Sequence, residues 1–353
     1  MNAVVHLGDC LEVMKALASG SAQTCVTSPP YYGLRDYGNA GQIGLEETPA
    51  QYVQKLVQLF REVRRVLADD GTFWLNLGDS YSGGKTGRDD AGKDIGGRGG
   101  NKAGSGNVGG GSPRRATDGL PPKSLLGIPW RVAFALQDDG WILRQDIIWH
   151  KPNPMPESVT DRCTKAHEYV FLLSKAPRYY YNAAAIKEPV TASTVARLAQ
   201  DIDNQQGSDR VPGKTNGPMK AVRSKRDSFR HDDSKRAEVM LGQSMGTHRS
   251  DREESSYSLD TRNKRSVWTV ATKPFSEAHF ATMPVELAET CILAGSRPGD
   301  TVLDPFMGAG TTAYAALKHQ RNAIGAELNP EYIKICQRRI APLLAQPALL
   351  GVT

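Results

Sequence analysis

The chain has 353 residues, enough to bury one large domain or one and a half. Composition is ordinary for a globular protein apart from 35 glycines, and the formal net charge of +6 permits a polyanionic partner without requiring one. Five scattered cysteines (Cys10, Cys25, Cys163, Cys291, Cys336) include no CxxC pair and no histidine stands at metal spacing, which argues against a disulfide framework or a metal site. No apolar run is long enough to span a bilayer and no signal layout opens the chain, so a reduced, cytoplasmic protein is expected.

Residues 3–7 read as a short strand. LGDCLEVMKAL then reads as a helix opening near Asp9, with Leu11, Met14 and Leu17 on one face. Gln23–Thr27 is the next strand, and it runs into TSPPYYGLRDYG at residues 27–38. Prolines fix φ and remove backbone donors, so Ser28-Pro29-Pro30-Tyr31 neither continues a sheet nor enters a helix interior. The expectation is a rigid extended turn whose carbonyls are left free. On its own such a turn is as readily a proline-rich connection as a site.

TPAQYVQKLVQLFREVRRVLADDG is a strong amphipathic helix. Thr48 caps it, Pro49 suits its first turn, Gly71 follows its end, and Tyr52, Leu56, Leu59, Val63 and Val66 form a core-facing stripe. GTFWLNLGDSY is a buried strand. Residues 83–119 are glycine-dominated, lack aromatics and mix charges, so they read as a flexible surface loop, either an inert insertion or a segment that orders on nucleic acid. Pro129 opens a helix that Gly140 ends, Ile142–His150 is a strand, and HEYVFLLSK is another. Lys151, Asn153 and Pro154 follow a strand end, which places them on a cleft. Residues 187–266 are polar and read as an insertion outside the main core.

From Val267 the compact pattern resumes. TVLDPFMGAGTTAYAAL (301–317) is a strand, a tight glycine turn and a helix N-terminus, which brings backbone close to a ligand and turns amides toward it. A lone GxG is weak evidence. However, NAIGAEL ends in Glu327, seventeen residues after Gly310, where an acid accepts hydrogen bonds from ribose hydroxyls. A nucleoside-bearing cofactor is expected, and the longer GxGxxG of NAD enzymes is missing. Strands alternating with helices imply an α/β sandwich with a mostly parallel sheet.

DPFMGAGTT and GAELNPEYIKICQRRI, together with TSPPYY, resemble the S-adenosylmethionine-dependent amino-methyltransferases of DNA. The tetrad precedes the glycine loop, which is the circularly permuted motif order of that family's beta class. The resemblance covers residues 3–80, 120–185 and 267–340, and implies a Rossmann-like methyltransferase sandwich. It divides the chain into a catalytic part (1–186), a target-recognition insertion (187–266) and a cofactor-binding part (267–353). By the same resemblance Asp9 contacts the adenine ring of S-adenosylmethionine, Asp304, Phe306, Gly308, Gly310 and Thr311 surround its methionine moiety, and Glu327 binds its ribose. HFATMPVEL, with His279, Phe280, Thr282 and Pro284, closes over the methionine end but departs from the commoner HPTQKP form.

An exocyclic base amine is a poor nucleophile because its lone pair is delocalised into the ring. Methylation needs that lone pair localised and aimed in line with the methyl–sulfur bond. Acceptors on the amine hydrogens do this, and Ser28 Oγ and the Pro29 carbonyl supply them, with Pro29 and Pro30 keeping the carbonyl stiff. Tyr31 offers a face for stacking a base flipped from the duplex, whereas Tyr32 reads as a core residue. Serine at the head of the tetrad favours N4 of cytosine over N6 of adenine. Methylation at C5 needs a nucleophilic cysteine after a proline, and none is present. Arg223, Lys225, Arg226, Arg230, Lys235 and Arg236 form a basic run for phosphate contact, opposed by the reading of a solvated loop balanced by Asp227, Asp232 and Asp233. The expected partners are double-stranded DNA, a second copy of the chain and a cognate restriction endonuclease. The alternatives are a methyltransferase of RNA or protein, and a DNA-binding protein without catalysis.

Overall fold

The computed structural model describes residues 1–34, 36, 38, 39, 41–82, 119–191, 193, 195, 261–273 and 283–345. Local signals account for its longest helix. In α2 (Pro49–Val66) the Thr48 side chain accepts from the Gln51 amide, Gln51 returns the bond to the Thr48 amide, and Pro49 occupies the first turn. Its stripe of Tyr52, Leu56, Leu59, Phe60, Val63 and Val66 is at most 1% exposed. Each such aliphatic or aromatic side chain contributes about 1.5–3 kcal/mol when fully buried.

The end of this helix differs from the sequence expectation. It stops at Val66, and Leu67 is already the extended first residue of β3 (Leu67–Leu77). Leu67 is fully buried and pairs with Ala22, so sheet pairing overrides the helical pattern of LADDG. Gly71 therefore lies inside the strand, where a Cβ would meet the Ala68 carbonyl at 2.9 Å.

The remaining strands of the main unit are β1 (Ala3–Leu7), β2 (Ala22–Thr27), β4 (Ile142–His150), β5 (His167–Ser174), β8 (Val267–Thr269), β9 (Thr301–Asp304) and β10 (Asn322–Glu327). They form one sheet in the order β1-β10-β9-β2-β3-β5-β4-β8. All its pairings are parallel except the two made by β5. The expected mostly parallel α/β sheet is observed. Alternation along the strands builds two cores. Cys25, Phe73, Leu75 and Phe171 face α1 (Cys10–Ala16), α2 and α3 (Ile128–Asp138). Val26, Trp74, Val170 and Leu172 face α4 (Val285–Gly295), α5 (Thr311–Lys318) and α6 (Pro330–Leu344). No helix among the described residues is long and apolar enough to cross a membrane.

Residues 187–264 form a compact unit of their own. Within it β6 (Glu188–Pro189) pairs antiparallel with β7 (Thr261–Arg262), and Arg262 bonds Glu188 at 2.9 Å. The basic run from Arg223 to Arg236, together with Thr282, His279 and Phe280, lies outside the described residues.

Candidate active site

Parallel pairing puts the carboxyl ends of β1, β10, β9, β2 and β3 on one edge of the sheet, where α/β sheets bind their ligands. Asp9, Glu327, Asp304 and Ser28 all stand on that edge, although up to 318 positions separate them in sequence (327 minus 9). Asp304 and the tetrad are directly joined. Thr27, the last residue of β2, donates its hydroxyl to Asp304 Oδ1 at 2.6 Å, and the Phe306 amide donates to the same oxygen at 3.0 Å.

The tetrad is held from both sides. Tyr52 of α2 donates its hydroxyl to the Pro30 carbonyl at 2.9 Å, so that carbonyl is not free as the proline pattern suggests. No hydrogen bond among the described residues ends on the Pro29 carbonyl. Tyr31 hydroxyl donates to Glu168 Oε2 at 2.6 Å and lies 3.1 Å from Asn76 Oδ1. Burial and the adjacent Glu168 carboxylate push its pKa well above that of a free tyrosine, so the hydroxyl stays protonated. Ser28 Oγ points its proton at the Tyr31 oxygen, 3.4 Å away, which leaves the serine lone pairs as acceptors. Glu168 Oε1 pairs with Lys151, whose ammonium also sits 4.4 Å from the centre of the Trp149 ring. Tyr32 is 2% exposed, beside Tyr52, as expected of a core residue.

Tyr31 lines a cleft of about 270 Å³ with Leu34, Gly78, Lys151, Pro154, Met155, Lys165, His167 and Glu168. Gly78 is required there, because a Cβ would come within 2.5 Å of the Tyr31 ring. A larger hollow of about 540 Å³ lies away from this edge, against α2 and α3, and holds none of the site residues.

Two amides of the glycine loop turn into the protein. Gly308 has φ +52° and donates its amide to Glu327 Oε2 at 2.8 Å, while Gly310 has φ +77° and bonds the Met307 carbonyl. These two amides are engaged within the protein, so the glycines supply backbone shape and room. A Cβ on Gly310 would stand 2.3 Å from Cys336 Sγ. Thr311 Oγ1 likewise accepts from Arg339 at 3.0 Å. Glu327 Oε1 takes the Asn329 amide at 2.8 Å, and each carboxylate oxygen retains capacity for a ribose hydroxyl. Asp9 caps α1 through Oδ1 and is otherwise exposed.

Burial pushes Glu327 upward and raises Asp304 to about 6. Two acids so desolvated at neighbouring strand ends suit a ligand that brings positive charge and hydroxyl donors. The Asp304 value has a thermodynamic consequence. Its folded pKa lies above the 3.8 of an ordinary aspartate, so the fold favours the protonated form. Stability from this group is complete below about pH 4 and is lost as pH rises through about 6, by up to about 3 kcal/mol. Asp304→Asn is therefore expected to exceed the parent in stability at pH 7.5 by up to that amount, with the advantage vanishing near pH 4. Urea unfolding of both proteins at the two pH values checks this, and a pH-independent difference contradicts it.

A family model described as DNA methylase, of the N6/N4 type, matches residues 22–338. The chain belongs to this family of DNA methylases. The type II methyltransferase M.SmaI of Serratia marcescens is 42% identical over 337 residues, spanning 95% of this chain and 90% of that protein. M.Cfr9I of Citrobacter freundii is 41% identical over 345 residues, spanning 96% and 87%. Among solved structures, PvuII DNA methyltransferase (cytosine-N4-specific) matches with a TM-score of 0.57 at 18% identity, over 99% of this chain and 89% of that one. TTHA0409 of Thermus thermophilus, solved with S-adenosyl-L-methionine, matches at 0.52 and 20%, over 98% and 95%. These two likenesses are of fold. Membership makes the chain an S-adenosylmethionine-dependent DNA methyltransferase of the N4-cytosine/N6-adenine type.

Sequence reasoning on this methyltransferase missed Thr27, Asn76, Gly78 and Glu168. The signal for Glu168 was an acid at the start of HEYVFLLSK. It becomes meaningful only once β5 is known to run antiparallel to β3, with Tyr169 opposite Leu77.

Proposed function

We propose that this enzyme methylates N4 of cytosine in duplex DNA, on a base flipped into the cleft beside Tyr31. The carrying observation for amine activation is the placement of two acceptors. Ser28 Oγ stands 3.4 Å from a Tyr31 hydroxyl that gives its proton to Glu168, and no hydrogen bond among the described residues ends on the Pro29 carbonyl. Serine at the head of the tetrad assigns cytosine. Ser28 Oγ and the Pro29 carbonyl then accept the two amine hydrogens and concentrate the nitrogen lone pair. Tyr31 stacks on the base, held by Glu168, Asn76 and Gly78. S-adenosylmethionine supplies the electrophilic methyl group when bound. Glu327 holds its ribose hydroxyls, Asp9 contacts its adenine ring, and Asp304, Phe306, Gly308, Gly310 and Thr311 frame its methionine end, with Thr282 completing that end from the preceding segment.

Residues 187–266 form the target-recognition part, and the run Arg223, Lys225, Arg226, Arg230, Lys235, Arg236 contacts phosphates. The relatives named as type II methyltransferases favour a restriction–modification role with a cognate endonuclease; a cytoplasmic homodimer is the working form we propose with it. The test is chemical. Unmethylated duplex DNA is incubated with enzyme and S-adenosylmethionine, digested to nucleosides and examined by mass spectrometry. N4-methylcytosine is the expected product. N6-methyladenine would overturn the assigned base while keeping the mechanism of amine activation.

A further inference from the structure

A base reaches the cleft only if the duplex opens, and opening leaves a gap in the stack beside an unpaired partner base. Proteins that hold DNA open fill such a gap with an apolar side chain on a stiff support. Lone exposed apolar residues are ordinary on protein surfaces, so exposure alone identifies nothing. Met155 combines exposure with support and place. It is 86% exposed, more than any other large hydrophobic side chain among the described residues. It lies on the wall of the cleft that holds Tyr31, Lys151 and Glu168.

Its loop is braced at both ends. Pro154 and Pro156 flank Met155 and fix φ on either side of it. Before them, Asn153 and Thr272 exchange side-chain and backbone hydrogen bonds at 3.0 Å in each direction, and the Lys151 amide bonds the Ala166 carbonyl at 2.8 Å. After them, Glu157 pairs with Arg162, whose guanidinium stacks 4.2 Å from the Tyr81 ring centre. The fold thus anchors a loop whose most prominent feature is an unpacked thioether chain facing solvent. Packing does not require methionine there.

We propose that Met155 is the wedge that enters duplex DNA at the opened base pair and occupies the space vacated by the flipped base. This rests on the enzyme acting on flipped bases, and holds whichever base is methylated. Leu34, 53% exposed and on the same cleft, is the competing candidate.

The experiment compares parent, Met155→Ala and Leu34→Ala on two substrates, once the modified base has been mapped. One is the matched duplex. The other carries the same target base in a mismatch, where opening is already easy. Met155→Ala is expected to lose about 10- to 100-fold in kcat/KM on the matched duplex, and less than about 3-fold on the mismatched one. A fluorescent analogue that keeps the pairing of the mapped base (pyrrolocytosine opposite guanine, or 2-aminopurine opposite thymine) should show correspondingly weaker fluorescence with Met155→Ala on the matched duplex. Equal losses on both substrates, no loss on either, or the mismatch-rescued pattern in Leu34→Ala alone would each overturn the proposal. Absence of all turnover on the mapped site would instead count against the catalytic reading.

Discussion

Tyr31→Ala lowers turnover by about 5- to 150-fold, the range expected from losing one base–aromatic stack of about 1–3 kcal/mol and with it the alignment of the amine. Affinity for S-adenosylmethionine stays near that of the parent, because the described candidate cofactor residues lie on β9 and β10 or follow β1 and β9. Tyr31→Phe separates the two parts of the residue. It keeps the ring against Gly78 but removes the donor to Glu168 Oε2. Glu168 retains Lys151 and the Asn76 amide at 3.2 Å, so its charge remains partnered. The phenylalanine variant is therefore expected to lose about 1–3 kcal/mol of stability and less than about 10-fold in kcat. Single-turnover methylation and direct cofactor titration check both variants. Full activity in Tyr31→Ala would remove the ring from the mechanism.

Gly325→Ala destabilises the protein by about 3 kcal/mol or more and abolishes cofactor binding. Gly325 lies in the middle of β10, paired with Asp304 at the end of β9. A Cβ there would stand 2.1 Å from the Asp304 carbonyl oxygen and 2.7 Å from the Met307 methyl. The nearest obstacle is backbone, so relief requires moving Asp304 and the loop that follows it. That displacement would also disturb the Thr27–Asp304 bond that joins the cofactor side to the tetrad. Gly299→Ala is the matched control. Gly299 has φ +87° with nothing within 4 Å of an added Cβ, so it suffers backbone strain alone, about 1 kcal/mol. Thermal unfolding and cofactor titration on the two variants separate a steric requirement from a conformational one. Similar behaviour of both would refute the steric account.

The sequence by itself determined the long helix α2, most of the strands of the main sheet and the two motifs. Helix α2, its cap and its buried stripe follow from a 3.6-residue pattern and Thr48-Pro49, because these signals are local. The strand–glycine–helix run at Thr301–Lys318 and the acid at Glu327 are local in the same sense. Their resemblance to the family was legible because few other chemistries need a proline-locked tetrad and a glycine loop in one chain.

Tertiary structure decided what the motifs do to one another. The boundary between α2 and β3 was misread because LADDG continues the helical pattern, and only pairing of Leu67 with Ala22 ends it. The Pro30 carbonyl and the Gly308 amide look available in sequence and are engaged in the fold, by Tyr52 and Glu327. Glu168 is 137 residues from Tyr31 in the chain and 2.6 Å from it in space. No periodicity encodes that distance. It arises because β5 enters the sheet antiparallel between β3 and β4, so its first residues reach the edge where the parallel strands end. Hydrogen-bond direction and side-chain crowding are properties of packed neighbours, and packing brings together residues that the chain keeps apart.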